Sequence, residues 1–217
     1  MNDAVQTPPR GPAPPSWSLI VPAGRSEPPS EALSALQRLV ALTPGLELLW
    51  VTPHADHSLP RDAAFRRVMA PALLPPGAMR NLGAAIARGE ILLFLDDDCI
   101  PPPDWAARMA ALLHAAPDLG AVGCRYRSSD GTWMARCADH ALFPACVSSI
   151  PAVRPFGSGA MAARATAFRQ VGGFDPELSA SEDWDFGLRL QRAGWRVRYE
   201  PSVVVEHRHG RRSLAAI

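Results

Sequence analysis

Apolar residues in this chain follow two rhythms, and the changes between them mark its elements. Ile91-Leu92-Leu93-Phe94-Leu95 is apolar without alternation, the pattern of a strand covered on both faces of a parallel sheet. Ser18-Leu19-Ile20-Val21-Pro22 and Leu46-Glu47-Leu48-Leu49-Trp50-Val51 read as further strands, with a third candidate around Arg67-Val68-Met69. Between the strands the period lengthens. Leu33, Leu36, Leu39 and Val40 predict a helix over 30–42, and Gly77 opens another that runs through Ala87 and is ended by Gly89. Asp104 to Ala115 reads as a third helix with Asp104 as its candidate N-cap, followed by a strand over 119–124. Helices are expected over 166–171 and 181–193, and Val203-Val204-Val205 closes as a strand ending at Glu206-His207. Strands alternating with helices predict one α/β domain. Residues 125–155 follow neither rhythm and read as an insertion. Residues 1–15, with five prolines and little apolar content, are expected to form a disordered tail.

The strand at 91–95 delivers Asp96, Asp97 and Asp98 to the edge of the sheet, and Ile100-Pro101-Pro102-Pro103 follows them. Ligands of such sheets bind beyond the carboxyl ends of the strands. Carboxylates placed there repel one another unless a cation joins them, and Mg²⁺ or Mn²⁺ takes oxygen ligands. The competing reading is a solvated acidic turn leading into the next helix. Glu182 and Asp183 pose a similar choice, because acids favour the first turn of a helix for its dipole alone.

Composition narrows the chemistry. The 217 residues suffice for a substantial core, and 47% hydrophobic with 20% charged is ordinary for a globular domain. A formal net charge of +1 argues against a broad nucleic-acid-binding surface. All 22 basic residues are arginine, which excludes a phosphate-loop lysine, a Schiff-base lysine and the lysine of protein kinases. Cys99, Cys124, Cys137 and Cys146 form no C-x-x-C pair, so reduced thiols are expected rather than a zinc cage or redox motif. No apolar segment reaches transmembrane length and no signal-peptide order opens the chain, which predicts a cytoplasmic protein. The Arg208 to Arg212 cluster is a candidate contact for an anionic membrane surface.

Four segments in this order carry a resemblance. They are Met79-Arg80-Asn81-Leu82-Gly83 leading to Glu90; Asp96-Asp97-Asp98; Gly157-Ser158-Gly159-Ala160-Met161 followed by Val171-Gly172-Gly173-Phe174-Asp175; and Ser181-Glu182-Asp183-Trp184-Asp185-Phe186-Gly187-Leu188-Arg189-Leu190 with Glu206-His207 downstream. Over roughly residues 17 to 210 the chain resembles the family-two glycosyltransferases. The resemblance implies a GT-A fold, a Rossmann-like α/β/α sandwich with a mostly parallel central sheet, as one domain over 16–217. It implies transfer of a sugar from a nucleotide-sugar donor to an acceptor hydroxyl with inversion, aided by Mn²⁺ or Mg²⁺. The expected acceptor is a carbohydrate, a lipid-linked sugar or a small molecule.

Roles follow by position. Asp96 and Asp98 match the family's D-x-D pair, which binds the metal and the donor ribose, with Asp97 between them and His207 as an additional phosphate or metal contact. Arg80 and Asn81 match a segment lining the nucleotide site, and Pro22 ends the first strand beside it. Gly157, Ser158 and Gly159 match a loop between donor and acceptor. Glu182 and Asp183 match the catalytic Glu-Asp pair, with Asp183 as the base.

Departures from the pattern are also plain. After the second strand, Val51-Thr52-Pro53-His54-Ala55-Asp56 lacks the acidic pair that reads the nucleotide base, unless Asp56 substitutes for it. The first strand ends Val21-Pro22-Ala23-Gly24-Arg25, where a Thr/Ala-Tyr-Asn turn is commoner. The chain stops soon after His207, so either the enzyme is compact or a protein or membrane partner completes its acceptor site. Three alternatives stand beside the leading reading. They are a non-catalytic GT-A relative acting as a binding or scaffold subunit, a metal-dependent phosphotransferase or pyrophosphorylase, and a dinucleotide site at the G-x-G-x-x-A of residues 157–162. Trp133 and Trp184 are candidates either to stack on a sugar or to pack in the core.

Overall fold

The computed structural model describes residues 16–27, 29–55, 64–128 and 157–208. The expected disordered tail, Asp56, Trp133 and most of the 125–155 insertion lie outside them. So do Cys137, Cys146 and the end of the arginine cluster.

The apolar runs form the centre of one sheet. Its strands are β1 (Trp17–Pro22), β2 (Leu46–Thr52), β3 (Phe65–Met69), β4 (Ile91–Leu95), β5 (Cys99–Ile100), β6 (Leu119–Ser128), β7 (Ala160–Arg164) and β8 (Arg196–His207). They lie side by side in the order β3-β2-β1-β4-β7-β6-β8-β5. β1 pairs parallel with β2 and β4, β2 with β3, and β6 with β8. Only β7 and β5 run antiparallel to their neighbours. The mostly parallel sheet expected from the sequence is therefore present. Two strands were not anticipated: β5, of two residues, and β7, whose Ala160-Met161-Ala162-Ala163 carries little strand propensity.

Helices cover both faces. They are α1 (Ser30–Leu42), α2 (Pro76–Ile86), α3 (Trp105–His114), α4 (Ala165–Gln170) and α5 (Glu182–Arg192). Alternate residues of β4 feed opposite cores. Ile91, Leu93 and Leu95 join Leu36, Leu39, Trp105 and Met109 of α1 and α3. Leu92 and Phe94 join Met79, Phe168, Phe186 and Leu190 of α2, α4 and α5. This two-sided burial is why the run shows no alternation. Within the second core, Phe94, Phe168, Phe174 and Phe186 meet at ring-centroid distances of 4.8 to 5.6 Å. Gly83 lets α2 approach the sheet closely, since a Cβ there would lie 2.5 Å from Ile20 Cγ2.

The expected helix boundaries hold within one or two residues. Asp104 does occupy the N-cap position of α3, but its side chain makes no capping hydrogen bond. The closing strand is much longer than Val203-Val204-Val205, and it contains a register break. Glu200 pairs with Cys124, yet the next β6 residue, Arg125, pairs with Val204. Residues 201–203 bulge out of the ladder there, which accommodates Pro201, a residue with no N–H to donate.

The amino end of the sheet is locked by a buried carboxylate. Glu47 is 3% exposed. Its Oε1 accepts from Ser18 Oγ and from the Arg88 backbone N–H, each at 2.7 Å. Its Oε2 accepts from Arg66 and twice from Arg88. These bonds tie β1, β2, β3 and the α2–β4 turn together, leaving the opposite edge of the sheet for chemistry.

Candidate active site

At the carboxyl edge, β1 ends at Pro22, β4 at Leu95 and β8 at His207, while antiparallel β7 begins there after Gly157-Ser158-Gly159. The first residues of α5 face the same edge. Pro22 is buried in pairing with Val51. Topology thus gathers segments far apart in sequence, as it does in open α/β sheets generally.

Arg80 is the centre of the arrangement. Its side chain is 2% exposed, and it donates from Nη2 to Asp96 Oδ1 at 2.6 Å and from Nη1 to Glu182 Oε1 at 2.8 Å. Its guanidinium also lies 5.6 Å from the Phe174 ring centroid. Burial lowers its affinity for a proton, but the charges of Asp96 and Glu182 outweigh that and raise its pKa. Glu182 Oε1 also accepts from Ser158 Oγ at 2.8 Å. Glu182 is therefore held in an ion pair rather than presented as a base.

Asp183 differs. Its Oδ2 accepts from the Ser158 backbone N–H at 3.2 Å and its Oδ1 from the Trp184 N–H at 2.8 Å. Burial, then the neighbouring charge of Glu182, push its pKa above the ordinary aspartate value despite those two bonds. A carboxylate oriented by fixed donors and raised in basicity suits proton abstraction.

Asp98 lies on the other side of the sheet edge. Its Oδ1 is 3.1 Å from His207 Nε2 and its Oδ2 accepts from Arg25 Nη2 at 2.8 Å. Burial opposes its charge, but the His207 hydrogen bond and the charges of His207 and Arg25 pull its pKa down. Asp97 also pairs with Arg25, yet burial and the charges of Asp98 and Asp96 raise it to about 6. Arg25 is a side chain at this edge that sequence reasoning did not single out. The signal available was its place just beyond the end of a buried strand.

Asp98, Cys99 and His207 offer ligand atoms within 4.8 Å of one another, all three buried. The Cys99 thiol is engaged elsewhere: its Sγ donates to the Gly159 carbonyl at 3.6 Å, and burial pushes its pKa far up. What remains is a carboxylate and an imidazole; the carboxylate suits Mn²⁺ or Mg²⁺, and the imidazole favours the transition metal Mn²⁺ of the two. Local charge points the same way: Asp96, Asp97, Asp98, Glu182 and Asp183 face two guanidinium groups, Arg25 and Arg80. Asp96 is not among the ligand atoms grouped at Asp98, Cys99 and His207. It is held by Arg80, and its Oδ2 lies where a Gly159 side chain would begin, 2.3 Å from an ideal Cβ.

Asn81 takes a supporting position. Its amide donates to the Phe174 carbonyl at 2.7 Å, and its Oδ1 accepts from the Phe174 N–H at 2.9 Å. It pins the turn at Gly172 and Gly173, both at positive φ. The Gly157 carbonyl accepts from the Tyr126 hydroxyl at 3.0 Å, and the Tyr126 ring lies 5.7 Å from His207. Tyr126 was missed because β6 runs on into the segment that looked like insertion. Trp184 is 46% exposed, so core packing does not account for it. His54 Nε2 lies 3.1 Å from the Gly24 carbonyl and links the loops after β2 and β1. Among the described residues, no helix is long and apolar enough to cross a membrane.

Known proteins share this architecture. A pre-mycofactocin glycosyltransferase of Mycobacterium tuberculosis is 28% identical over 93% of this chain and 44% of its own length. The chain thus spans less than half of that relative. An N-acetylglucosaminyl-diphospho-decaprenol L-rhamnosyltransferase of the same species is 34% identical over 67% of this chain and 61% of its own. Among solved structures, a mannosyltransferase from Pyrobaculum calidifontis in complex with GDP-Man and Mn²⁺ superposes with a TM-score of 0.71. It is 23% identical and covers 94% of this chain and 59% of its own. S. aureus TarS in complex with UDP-GlcNAc gives 0.64 at 18% identity, covering 90% and 60%. These likenesses establish the GT-A fold. The protein-family model described as glycosyltransferase like family 2 matches residues 15–217, and the chain belongs to that family.

Proposed function

We propose that this chain is an inverting, metal-dependent glycosyltransferase that moves a sugar from a nucleotide-diphosphate sugar to an acceptor hydroxyl. The observation that carries the reading is the Arg80 bridge. One buried guanidinium joins Asp96, on the donor side of the sheet edge, to Glu182, beside the candidate base. Donor cradle and base thereby form one rigid unit, as a single displacement requires.

Asp183 is the base in this reading. As the acceptor oxygen bonds to the anomeric carbon, its proton passes to Asp183, and the bond from that carbon to the diphosphate oxygen breaks. Attack opposite the leaving group inverts the centre. A base in this role contributes about 10² to 10⁴ in rate. Glu182 acts through others: it fixes Ser158, whose N–H in turn orients Asp183. Asp98 and His207 would hold the cation, and Asp96 and Asp97 would face the donor with Arg80. When bound, a divalent ion there neutralises charge developing on the leaving diphosphate. Pro22, Gly157 and Gly159 shape the backbone walls, and Asn81 supports them through Phe174. The diphospho-decaprenol acceptor named for one relative favours a lipid-linked acceptor here.

The test pairs binding with turnover. Nucleoside diphosphates should raise the melting temperature in the presence of Mn²⁺, as ligands of the folded state do. That shift should vanish in Asp98→Ala and survive in Asp183→Asn, while donor consumption is lost in both. Full turnover in both variants would sink the reading. Binding with no turnover by the intact chain would favour a non-catalytic relative.

A further inference from the structure

Arg25 sits on Asp97 and Asp98, the second of which the D-x-D reading assigns to the cation. Its guanidinium contacts Asp97 Oδ1 and Asp98 Oδ2 at once, and its backbone N–H lies 3.5 Å from Asp97 Oδ2. The other oxygen of Asp98 is already engaged by His207. Arg25 thus holds one oxygen of Asp98 and His207, itself a candidate ligand, the other, so a cation joining Asp98 competes with these partners.

Exposure decides which partner yields. The His207 side chain is 9% exposed, packed beside Tyr126 and carried by a strand paired to β5 and β6. The Arg25 side chain is 44% exposed on a loop outside the regular elements, whereas its aspartate partners are 4% and 7% exposed. A half-exposed guanidinium on a flexible stem can leave into water at little loss. A divalent ion carries twice its charge and suits the same oxygens. Once released, Arg25 remains at the site's mouth, and a planar guanidinium is well matched to phosphate oxygens.

Taking the site as a nucleotide-sugar donor site, we propose that Arg25 is a displaceable internal cation. It holds Asp97 and Asp98 until a divalent ion takes Asp98, and it then pairs with the diphosphate of the donor. Two consequences follow by reciprocity between coupled ligands. Arg25 opposes the metal when no nucleotide is present. It also makes metal and nucleoside diphosphate strengthen each other, because the diphosphate gives the displaced guanidinium a new partner.

The experiment is calorimetric titration of the whole chain with Mn²⁺, alone and with saturating UDP or GDP, for wild type, Arg25→Gln and Arg25→Lys. Circular dichroism and unfolding curves report whether each variant is folded. Arg25→Gln should bind Mn²⁺ alone about tenfold tighter than wild type and lose most of the nucleotide's enhancement, an effect in the usual range of coupling between sites. Arg25→Lys keeps the charge without the planar fork and should fall between the two. The Mn²⁺-induced rise in melting temperature should also be larger in Arg25→Gln than in wild type. Equal or weaker Mn²⁺ affinity in Arg25→Gln, with wild type binding normally, overturns this proposal alone. Absence of Mn²⁺ and nucleotide binding in all three proteins overturns it together with the donor-site reading.

Discussion

Replacing Arg80 with Met keeps the length of the stem and removes the charge that Asp96 and Glu182 share. Breaking a buried ion pair from one side leaves the remaining carboxylates uncompensated, which costs about 3–5 kcal/mol. Asp96 is 34% exposed and can recover some water, whereas the Glu182 side chain is 11% exposed and keeps only Ser158. That asymmetry argues for the low end, about 3 kcal/mol. For a chain of this size each kcal/mol moves the melting temperature by about 2–4 °C, so a fall of about 6–12 °C is expected by calorimetry. The double variant Arg80→Met/Glu182→Gln removes the stranded charge as well. It should recover about half of the loss, a non-additivity expected of residues in direct contact. A fall under about 2 °C in the single variant would refute the reasoning, since even a half-compensated charge predicts more. So would a double variant as unstable as the sum of the two single ones.

Other outcomes follow from the same geometry. The rate should fall as pH drops through the Asp183 pKa, because the base must be ionised; burial and Glu182 raise that value, so the acidic limb should lie above the ordinary 3.8. A pH–rate profile with its limb at or below 3.8 would contradict this. Gly159→Ala would set a Cβ 2.3 Å from Asp96 Oδ2 and 3.0 Å from the Tyr126 hydroxyl. It should cost about 1–3 kcal/mol of stability and abolish nucleoside diphosphate binding in calorimetry; undiminished binding would show that Asp96 can move. Glu47→Gln should destabilise by about 2 kcal/mol, from charged hydrogen bonds lost at the amino end of the sheet. The Glu47 pKa is lowered on folding by Ser18, Arg88 and Arg66 against the pull of burial, so its contribution is present above the ordinary 4.5. The contribution is lost as pH falls through the lowered value, so unfolding curves of Glu47→Gln and wild type should converge below pH 4.5.

The central strands were legible because burial on two faces leaves an unmistakable apolar run, as at Ile91 to Leu95. The antiparallel strand β7 was not, because its packing is done by small residues: Ala160, Ala162 and Ala163 are fully buried yet carry no strand signal of their own. β8 was half legible. Its Arg196-Val197-Arg198-Tyr199 alternates, but Pro201 interrupts the run and reads as an ending. The carboxylates of the site could be placed from their order along the chain. Their partners could not, because Arg80 meets Glu182 and Arg25 meets Asp98 only through the topology of the sheet. Asn81 shows the converse: its position suggested a ligand contact, and its amide instead closes on the backbone of Phe174.

The bulge at residues 201–203 takes up three residues of chain without advancing the ladder. With a strand rise of about 3.3 Å per residue, drawing those three residues into a regular ladder would carry everything beyond them about 10 Å further along β6. Three is also an odd number, so the shift would turn the faces over. Val203 and Val205 now point inward with His207, and a ladder continued without the bulge would send the neighbours of those residues to the core instead. The reach of the imidazole to Asp98 is thus set by how the chain leaves and rejoins the ladder, at a site remote from either residue. Changes around Pro201 that iron out the bulge are a route by which relatives of this fold could gain or lose a ligand at the sheet edge without altering any residue that touches one.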